Sequence, residues 1–388
     1  METFTKATVL HAQLVPQLCR RVAWSVLRLS STAAAPSTTP SSELLKSHVG
    51  KVYPIPGKEL KTAIPHALPK RLSAQLDTLG QAGWVFRQQS FDIIKSLFDS
   101  AEDSTAPKPR YLLYGDDGNG KTVCTYQVVH HCVKAGWLVV HVPGVLSWTH
   151  SKAELRPSAK HTGLYDQPDE ACKWLKSFRT LNSKFISQMK LSEEYYWNKK
   201  EKAEPGEELV KVIEQGLLKP NLATEVVGAV LQEVSKLHKK FNVLLVVDQF
   251  NGCYNPTSFS LGRAEWAEPS QLRLVQLLEH YTSSPSVFSG PIILALSRTG
   301  MMRHNTATTE PLDLLGEKGF EHVKSYKHLL VPPFRYSEMK ACLEYYVQEK
   351  WISCLTNRVS DSPSAVLKEL WHVTAGNPRE LEKLCAFC

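Results

Sequence analysis

The 388-residue chain contains no apolar run long enough to cross a membrane as a helix, which takes roughly 18 residues or more. Its nine cysteines are odd in number and scattered, which excludes the disulfide framework of a small secreted domain and favours reduced thiols inside a cell. No stretch repeats at a fixed period, so nothing indicates a repeat architecture. A hydrophobic fraction of 43% is enough to bury a sizeable core, and the length allows two or three structural units.

Acidic residues are missing from positions 3–42, which carry the basic residues Lys6, Arg20, Arg21 and Arg28. Leucines and valines there fall largely on one face of a helix, and a stretch rich in Ser, Thr, Pro and Ala follows. This composition is typical of a mitochondrial presequence, and a disordered tail is the alternative. We therefore expect residues 1–40 to direct the protein to the mitochondrial matrix, and we exclude them from the prediction of the fold.

Residues 41–85 lack a clear helical or strand periodicity. The stretch is rich in proline and lysine, as in "VYPIPGKELKTAIPHALPKRL", and it predicts an extended N-terminal arm that lies on a partner or on the protein's own core. The whole chain carries a net charge of +8, and the basic residues of the arm suit an acidic or rRNA-bearing surface.

Short apolar runs alternate with longer helical stretches in the rest of the chain. The runs are residues 110–114, 137–143, 242–248 and 291–297. Runs this short, separated by helices, are typical of buried strands in a parallel sheet. The predicted fold class is therefore α/β, with a parallel sheet and helices on both of its faces over residues 86–305. A C-terminal helical lid is expected over residues 306–388.

The first apolar run ends abruptly in the sequence "GDDGNGKT". The pattern Gly115-x-x-x-x-Gly120-Lys121-Thr122 follows a predicted strand and precedes an apolar-periodic helix, which is the context of a phosphate-binding loop. Glycines let the backbone amides surround a phosphate, and the start of the helix adds a favourable positive end. Lys121 can reach the β- and γ-phosphates, and the Thr122 hydroxyl can hold Mg²⁺. A glycine-rich turn that binds nothing is the alternative.

All eight residues of this loop are predicted to bind nucleotide. They are Gly115, Asp116, Asp117, Gly118, Asn119, Gly120, Lys121 and Thr122. The two acids are unusual so close to phosphates, and we expect their side chains to point outward to water.

A carboxylate at the end of the run "NVLLVVD" supports this interpretation. Asp248 is placed to bind Mg²⁺ or its water shell, although a helix cap at the end of a strand is the alternative. ATPases of the RecA and AAA-like kind usually have a glutamate next, which activates the attacking water, whereas here Gln249 follows. An amide orients water but does not accept its proton at neutral pH, so Gln249 as the catalytic candidate predicts slow hydrolysis at most.

Two further segments offer contacts with the phosphates. The run 291–297 is followed directly by Arg298, and either Ser297 or Arg298 can sense the γ-phosphate from the end of a neighbouring strand, although a solvated turn serves equally well. A Gly-Asn-Pro-Arg turn near the C-terminus presents Arg379 at the start of a helix. We expect Arg379 to contact the phosphates, with an exposed arginine in the first helical turn as the alternative.

These stretches together resemble one family. They are "YLLYGDDGNGKT", the strand ending in Asp248, "WLKSFRTLNSKF", "YYWNKKE", "ALSRTG", "PLDLLGEKGFEHV" and "GNPRELEKLCAF". Residues 80–388 resemble the death-associated protein 3 family, which are GTP-binding proteins of the mitochondrial small ribosomal subunit.

The resemblance implies an AAA-like P-loop nucleotide-binding domain built into that subunit. It implies GTP or GDP and Mg²⁺ as ligands, and contacts with small-subunit ribosomal proteins, rRNA and the large subunit. The family's name also records an association with apoptosis. The specificity for guanine rests on the resemblance alone, because no motif in the sequence carries it.

Two functions follow for the chain. The first is a structural ribosomal protein that supports mitochondrial translation and whose bound nucleotide and Mg²⁺ stabilise the fold. The alternative is an active AAA-like ATPase or GTPase, or an apoptotic signalling NTPase, that is not built into the ribosome. The missing acid after Asp248 favours the first.

Overall fold

The computed structural model describes residues 42–386 except for 104, 199–200, 263–264, 300–307 and 353–362. The predicted presequence, residues 1–40, lies outside the described residues. Among the described helices, none combines the length and the apolar character that a membrane span needs.

The strands and helices follow one another in a mixed order. The strands are β1 (Val52–Pro56), β2 (Gln81–Val85), β3 (Arg110–Tyr114), β4 (Leu138–Val142), β5 (Arg156–Pro157), β6 (Tyr165–Asp166), β7 (Tyr195–Tyr196), β8 (Lys202–Ala203), β9 (Val243–Val247), β10 (Ser260–Gly262), β11 (Glu265–Trp266), β12 (Ile292–Ala295) and β13 (Lys327–Leu330). The α-helices are α1 (Ser42–Ser47), α2 (Gly57–Ala63), α3 (Lys70–Leu79), α4 (Gln88–Glu102), α5 (Lys121–Lys134), α6 (Leu146–Thr149), α7 (Pro168–Leu181), α8 (Ser183–Ile186), α9 (Leu209–Leu218), α10 (Pro220–Ser235), α11 (Arg273–Ser283), α12 (Pro311–His322), α13 (Tyr336–Gln348), α14 (Pro363–Thr374) and α15 (Pro378–Ala386). Single 3₁₀ turns lie at Leu237–Lys239, Phe250–Cys253 and Pro269–Gln271.

Five of these strands form a parallel sheet in the order β13-β3-β12-β9-β4. Leu112 of β3 lies opposite Leu294 of β12 on one side and His328 of β13 on the other. The four predicted strands are confirmed. The sequence analysis missed β13, because its four residues are half-buried or exposed at the edge of the sheet and form no apolar run of their own.

Successive side chains of the sheet enter two different cores, as the two-residue period of a strand requires. In β9, Leu245 belongs to one buried cluster while its neighbours Leu244 and Val246 belong to the other. Residues of α7, α9, α10 and α11 complete the first cluster, and residues of α4 and α5 complete the second. Helices therefore cover both faces, which confirms the predicted α/β class.

The prediction that residues 41–85 form an extended arm is wrong for the described part of that stretch, which contains helices and strands, whereas its packing on the protein's own core is one of the two placements expected for it. Residues 52–56 alternate between partly exposed and buried, and β1 pairs with β2 in antiparallel register. Ile55 and Leu60 are almost completely buried in the same cluster as α5, and the Glu59 carboxylate lies 3.2 Å from Nε2 of His130. The segment packs on the protein's own core because these apolar side chains find a face of the sheet domain to cover.

The predicted boundary between the sheet domain and the helical lid, at residues 305 and 306, lies outside the described residues. The sheet domain also includes a strand that comes after this boundary in the sequence. β13 pairs with β3 and therefore belongs to the sheet domain. The purely helical part begins only at Tyr336 and comprises α13, α14 and α15. These helices share a third buried cluster, which also contains Val85 of β2.

Candidate functional site

The carboxyl ends of the parallel strands meet at one edge of the sheet. After β3 the chain crosses to β4, at one edge of the sheet, whereas the last strand, β13, lies on the other side of β3, at the opposite edge. The direction of the chain across the sheet therefore reverses beside β3. Ligands of open α/β sheets bind outside the strand ends at such a reversal. A cleft of about 490 Å³ lies there, and its walls include residues of the loop after β3, Asp248 and Arg379.

Three glycines give the loop after β3 its shape. Gly115, Gly118 and Gly120 have φ angles of 128°, 89° and 96°, which favour glycine over other residues. A side-chain carbon at Gly115 would lie 2.6 Å from the carbonyl oxygen of Val331, and one at Gly118 would lie 2.4 Å from Oδ1 of Asn377. Two of the glycines are therefore also required because other parts of the chain approach the loop closely.

The side chain of Lys121 folds back over the loop. Its Nζ donates hydrogen bonds to the carbonyl oxygens of Gly115 at 2.7 Å and Asp116 at 2.9 Å. Burial lowers the pKa of this ammonium, and the charges of Asp117 and Asp248 oppose that shift. A positive charge held in place over backbone amides is the arrangement that an entering phosphate requires.

The Thr122 hydroxyl donates a hydrogen bond of 2.5 Å to Oδ2 of Asp248. Oδ1 of the same carboxylate accepts the backbone N–H of Gln249 at 2.7 Å. Asp248 is 2% exposed, and burial raises its pKa against the lowering effects of these two hydrogen bonds and of Lys121. A hydroxyl and a carboxylate are oxygen ligands that Mg²⁺ prefers, and a buried carboxylate is stabilised by a cation, so Thr122 and Asp248 fit the predicted metal.

The two acids of the loop behave differently. Asp116 is exposed, as expected, and its Oδ1 lies 3.4 Å from Nη1 of Arg298. Asp117 does not point fully outward, because its Oδ1 accepts the backbone N–H of Arg298 at 3.3 Å and lies 4.0 Å from Nζ of Lys121. Both carboxylates thus face cations of the site, which offsets their repulsion of a phosphate.

Asn119 makes structural contacts within the loop. This side chain is 1% exposed, and its Nδ2 donates to the carbonyl oxygen of Val331 at 3.1 Å. The contact ties the loop to the residue that follows β13. A binding contribution of Asn119 to a nucleotide would have to come from its backbone, since the side-chain amide is already engaged.

Ser297 and Arg298, which follow β12, were the two candidates for a contact with the γ-phosphate. Ser297 lines the cleft, whereas the guanidinium of Arg298 contacts Asp116. The side chain of Asn251 holds Ser297 in place, since it accepts the Ser297 N–H at 2.9 Å and donates to its carbonyl oxygen at 2.8 Å. Asn251 is fully buried, and the sequence analysis missed it because no motif marks it.

The structure does not bring the side chain of Gln249 to the cleft. Gln249 has a φ of 57°, and a side-chain carbon built on Gly144 would lie 2.5 Å from its Oε1. Gly144 follows β4. In the sheet, β4 lies on one side of β9, whereas β12 and then β3 lie on the other side. The predicted catalytic amide therefore lies beside the residue that follows β4, and Gln249 does not line the cleft.

The turn before α15 contacts the loop directly. Nδ2 of Asn377 donates to the carbonyl oxygen of Asp117 at 2.8 Å, and its Oδ1 accepts the backbone N–H of Arg379 at 2.9 Å. Asn377 thus caps α15 and holds the helix start against Gly118. Arg379 lines the cleft and is an exposed residue in the first turn of α15, so its predicted contact with the phosphates stays a prediction. Asn377 was missed although an asparagine before a proline is a common helix start.

Other walls of the cleft come from segments that the sequence analysis did not connect with the site. Residues of α3, β2, α13 and α15 also line the cleft. Nη1 of Arg71 in α3 lies 2.9 Å from Oε2 of Glu382 in α15, so an ion pair joins these two helices. Arg87, which is 3% exposed, also lines the cleft and donates to the carbonyl oxygen of Asn119 at 3.0 Å.

Comparison with known proteins places this geometry in context. Residues 84–384 match the family described as "Mitochondrial ribosomal death-associated protein 3". The chain is 34% identical over 343 residues to the Mus musculus protein "Small ribosomal subunit protein mS29", which covers 88% of this chain and 86% of the mouse protein. The Bos taurus protein of the same name is 33% identical over 344 residues, with 88% and 85% covered. The Schizosaccharomyces pombe protein of that name is 22% identical over 359 residues, with 87% and 71% covered.

Proposed function

Because this chain belongs to the mitochondrial ribosomal death-associated protein 3 family, we propose that it is a structural component of the mitochondrial small ribosomal subunit that binds GTP or GDP with Mg²⁺. Its partners are then the neighbouring small-subunit proteins and rRNA, with contacts to the large subunit. Its location is the mitochondrial matrix, and its contribution is to mitochondrial translation.

One observation carries the nucleotide part of the proposal. Thr122 and Asp248 are 126 positions apart, yet the fold places the hydroxyl of one 2.5 Å from the carboxylate of the other, next to a glycine-rich loop and a buried lysine. The loop amides and Lys121 would hold the phosphates, and Thr122 and Asp248 would hold Mg²⁺ or its water shell. When bound, the ion neutralises phosphate charge.

The position of the cleft supports a structural role for the nucleotide. Its walls come from three parts of the chain, namely α3 with β2, the loop after β3, and the helices α13 and α15. A ligand that contacts all three parts binds only the folded chain. It therefore raises the free energy of unfolding, by about 2.7 kcal/mol when its free concentration is one hundred times its Kd.

The alternative is an active ATPase or GTPase, or an apoptotic signalling NTPase outside the ribosome. It requires a group that activates the attacking water, within reach of the γ-phosphate. The side chain of Gln249 lies beside Gly144 instead, and an amide accepts no proton at neutral pH. This favours slow hydrolysis at most, and with it the structural function.

Replacement of Lys121 by alanine tests the binding of nucleotide. We expect GDP with Mg²⁺ to raise the melting temperature of the wild-type chain and to have little effect on Lys121→Ala, because the variant lacks the charge that faces the phosphates. Thermal unfolding at increasing GDP concentration measures this. Lys95→Ala is the matched control, since Lys95 is an exposed lysine of α4 that pairs only with Asp99 of the same helix in the described structure. Equal stabilisation of all three proteins would contradict nucleotide binding at this loop.

Sedimentation of a mitochondrial lysate tests the ribosomal assignment. We expect the protein to migrate with the small ribosomal subunit, and mass spectrometry of ligands extracted from that particle to find GDP or GTP. Recovery of the protein only in light fractions, free of ribosomal RNA, would support the alternative.

A further inference from the structure

The cleft extends beyond the phosphate-binding loop along α15. Arg379 and Glu382 both line it and lie three residues apart on this helix, so Glu382 is about 5 Å further along the helix axis than Arg379. Residues of α3 and β2 also line the cleft, among them Leu72, Trp84 and Val85. This part of the cleft combines apolar side chains with a few polar groups, which is the composition of a pocket for a heterocyclic base.

Two polar side chains of this region are candidates for contact with a base. Glu382 has a side chain that is 12% exposed, and Nη1 of Arg71 lies 2.9 Å from its Oε2. Gln75 is 3% exposed; its side chain interacts with the Tyr346 hydroxyl, and its Nε2 makes no hydrogen bond of standard length and angle with any described residue. Arg71 and Gln75 are four residues apart and hence neighbours on one face of α3. Gln75 therefore lies one helical turn from the arginine that contacts Glu382.

We propose that Glu382 and Gln75 select guanine over adenine in this cleft, an inference that rests on the proposed nucleotide-binding function. An ionised carboxylate only accepts hydrogen bonds. Guanine offers it two donors, the N1–H and the 2-amino group, whereas adenine has an acceptor at N1. The Nε2 of Gln75 carries two N–H groups, so it can donate one to the O6 of guanine while its side chain also contacts the Tyr346 hydroxyl; in adenine that O6 is replaced by a donating amino group. The specificity that no sequence motif explains then comes from two side chains that tertiary structure brings together.

Inosine diphosphate provides a sharp probe, because it differs from GDP only in lacking the 2-amino group. We expect the wild-type chain to bind GDP about tenfold more tightly than inosine diphosphate, which corresponds to one good hydrogen-bonded contact. In Glu382→Ala this ratio should fall to about one, while the affinity for inosine diphosphate changes less than that for GDP. Titration calorimetry of the full chain with Mg²⁺ and GDP, inosine diphosphate or ADP measures the three dissociation constants.

Two variants control for loss of structure. Glu380→Ala removes a carboxylate from the same helix that pairs with Lys383 and does not line the cleft, and it should keep the wild-type ratio. Arg71→Ala removes the ion pair to Glu382 but leaves the carboxylate, so it should lower the preference for GDP less than Glu382→Ala does. Retention of the full preference by Glu382→Ala, or equal binding of GDP and ADP by the wild type, would overturn the assignment. Failure of the wild type to bind any of the three would instead contradict the proposed function itself, and this inference with it.

Discussion

At the scale of single residues, Asp166 shows what burial does to a carboxylate that has no cation of its own. It is 8% exposed, and its Oδ1 has no hydrogen-bond partner among the described residues. Burial and the negative charge of Glu225 raise the pKa of Asp166 from 3.8 to about 6. Lys160, His161 and Arg273 lie 3.2 to 3.4 Å from the Glu225 carboxylate, so these basic side chains pair with Glu225 rather than with Asp166.

This raised pKa predicts a pH dependence of stability. Between about pH 4 and pH 6 the folded state holds a proton on Asp166 that the unfolded chain has lost, so the free energy of unfolding falls as the pH rises through this range. The loss reaches at most about 3 kcal/mol above pH 6. We expect Asp166→Asn to be more stable than the wild type at pH 7.5 by about 1 to 3 kcal/mol and equally stable at pH 4.

Urea unfolding of the two proteins at a series of pH values measures the difference. The control is Asp169→Asn, because Asp169 is an exposed carboxylate three residues further along the chain. A difference for Asp166→Asn that stays constant from pH 4 to pH 7.5 would contradict the titration of Asp166.

At the scale of elements, the start of α15 joins the helical part of the protein to the glycine-rich loop after β3. Oδ1 of Asn377 accepts the N–H groups of Arg379 and Glu380, which are the free donors at the beginning of a helix. Its Nδ2 donates to the carbonyl oxygen of Asp117. One side chain thus has two separable functions, capping of the helix and contact with the loop.

Two substitutions of Asn377 separate these functions. Asn377→Ala should cost about 1 kcal/mol of stability, because the cap is lost, and should also weaken the binding of GDP. Asn377→Ser retains a capping oxygen but does not reach Asp117, so we expect near wild-type stability with weakened binding. Urea unfolding and calorimetry provide the two measurements. Unchanged GDP affinity in both variants would show that the loop does not depend on α15.

At the scale of the whole molecule, Arg87 connects the sheet domain with the C-terminal helices. Its Nε lies 3.1 Å from Oε1 of Glu338 in α13, and both side chains are almost completely buried. The guanidinium also donates to the carbonyl oxygens of Asn119 and Pro332, and it lies 5.2 Å from the centre of the Phe334 ring. The loop, the segment after β13 and α13 are therefore held by one cation.

We expect Arg87→Ala to destabilise the protein by about 3 to 5 kcal/mol, because it leaves the buried Glu338 carboxylate without its partner. The double variant Arg87→Leu with Glu338→Leu removes both charges and should be less destabilised than Arg87→Ala. Arg179→Ala, which breaks an exposed ion pair with Glu214 in the sheet domain, should change the stability by about 0.5 kcal/mol or less. Thermal and urea unfolding rank the variants, and an Arg87→Ala protein as stable as Arg179→Ala would contradict this role.

The local sequence was sufficient for the features that contiguous residues encode. The four apolar runs predicted β3, β4, β9 and β12, since a short buried strand is a short apolar run. The glycine spacing predicted the loop, because left-handed backbone angles favour glycine regardless of how the rest of the chain folds. Lys121, Thr122 and Asp248 were predicted to lie together because each occupies a defined place after a strand, and the structure brings all three to the cleft.

Tertiary structure alone decided the features that depend on residues far apart in the chain. β13 has only four residues, two of them polar, and none is fully buried; it is a strand because β3 offers it an unpaired edge. The proline-rich stretch before residue 86 is folded because the sheet domain presents an apolar face to it, which no local periodicity records. The direction of the Gln249 side chain, and the meeting of Arg71 with Glu382 across 311 positions, follow from packing between separate segments. Local patterns therefore located the glycine-rich loop at the end of β3, whereas the other walls of the cleft exist only once the distant segments have packed together.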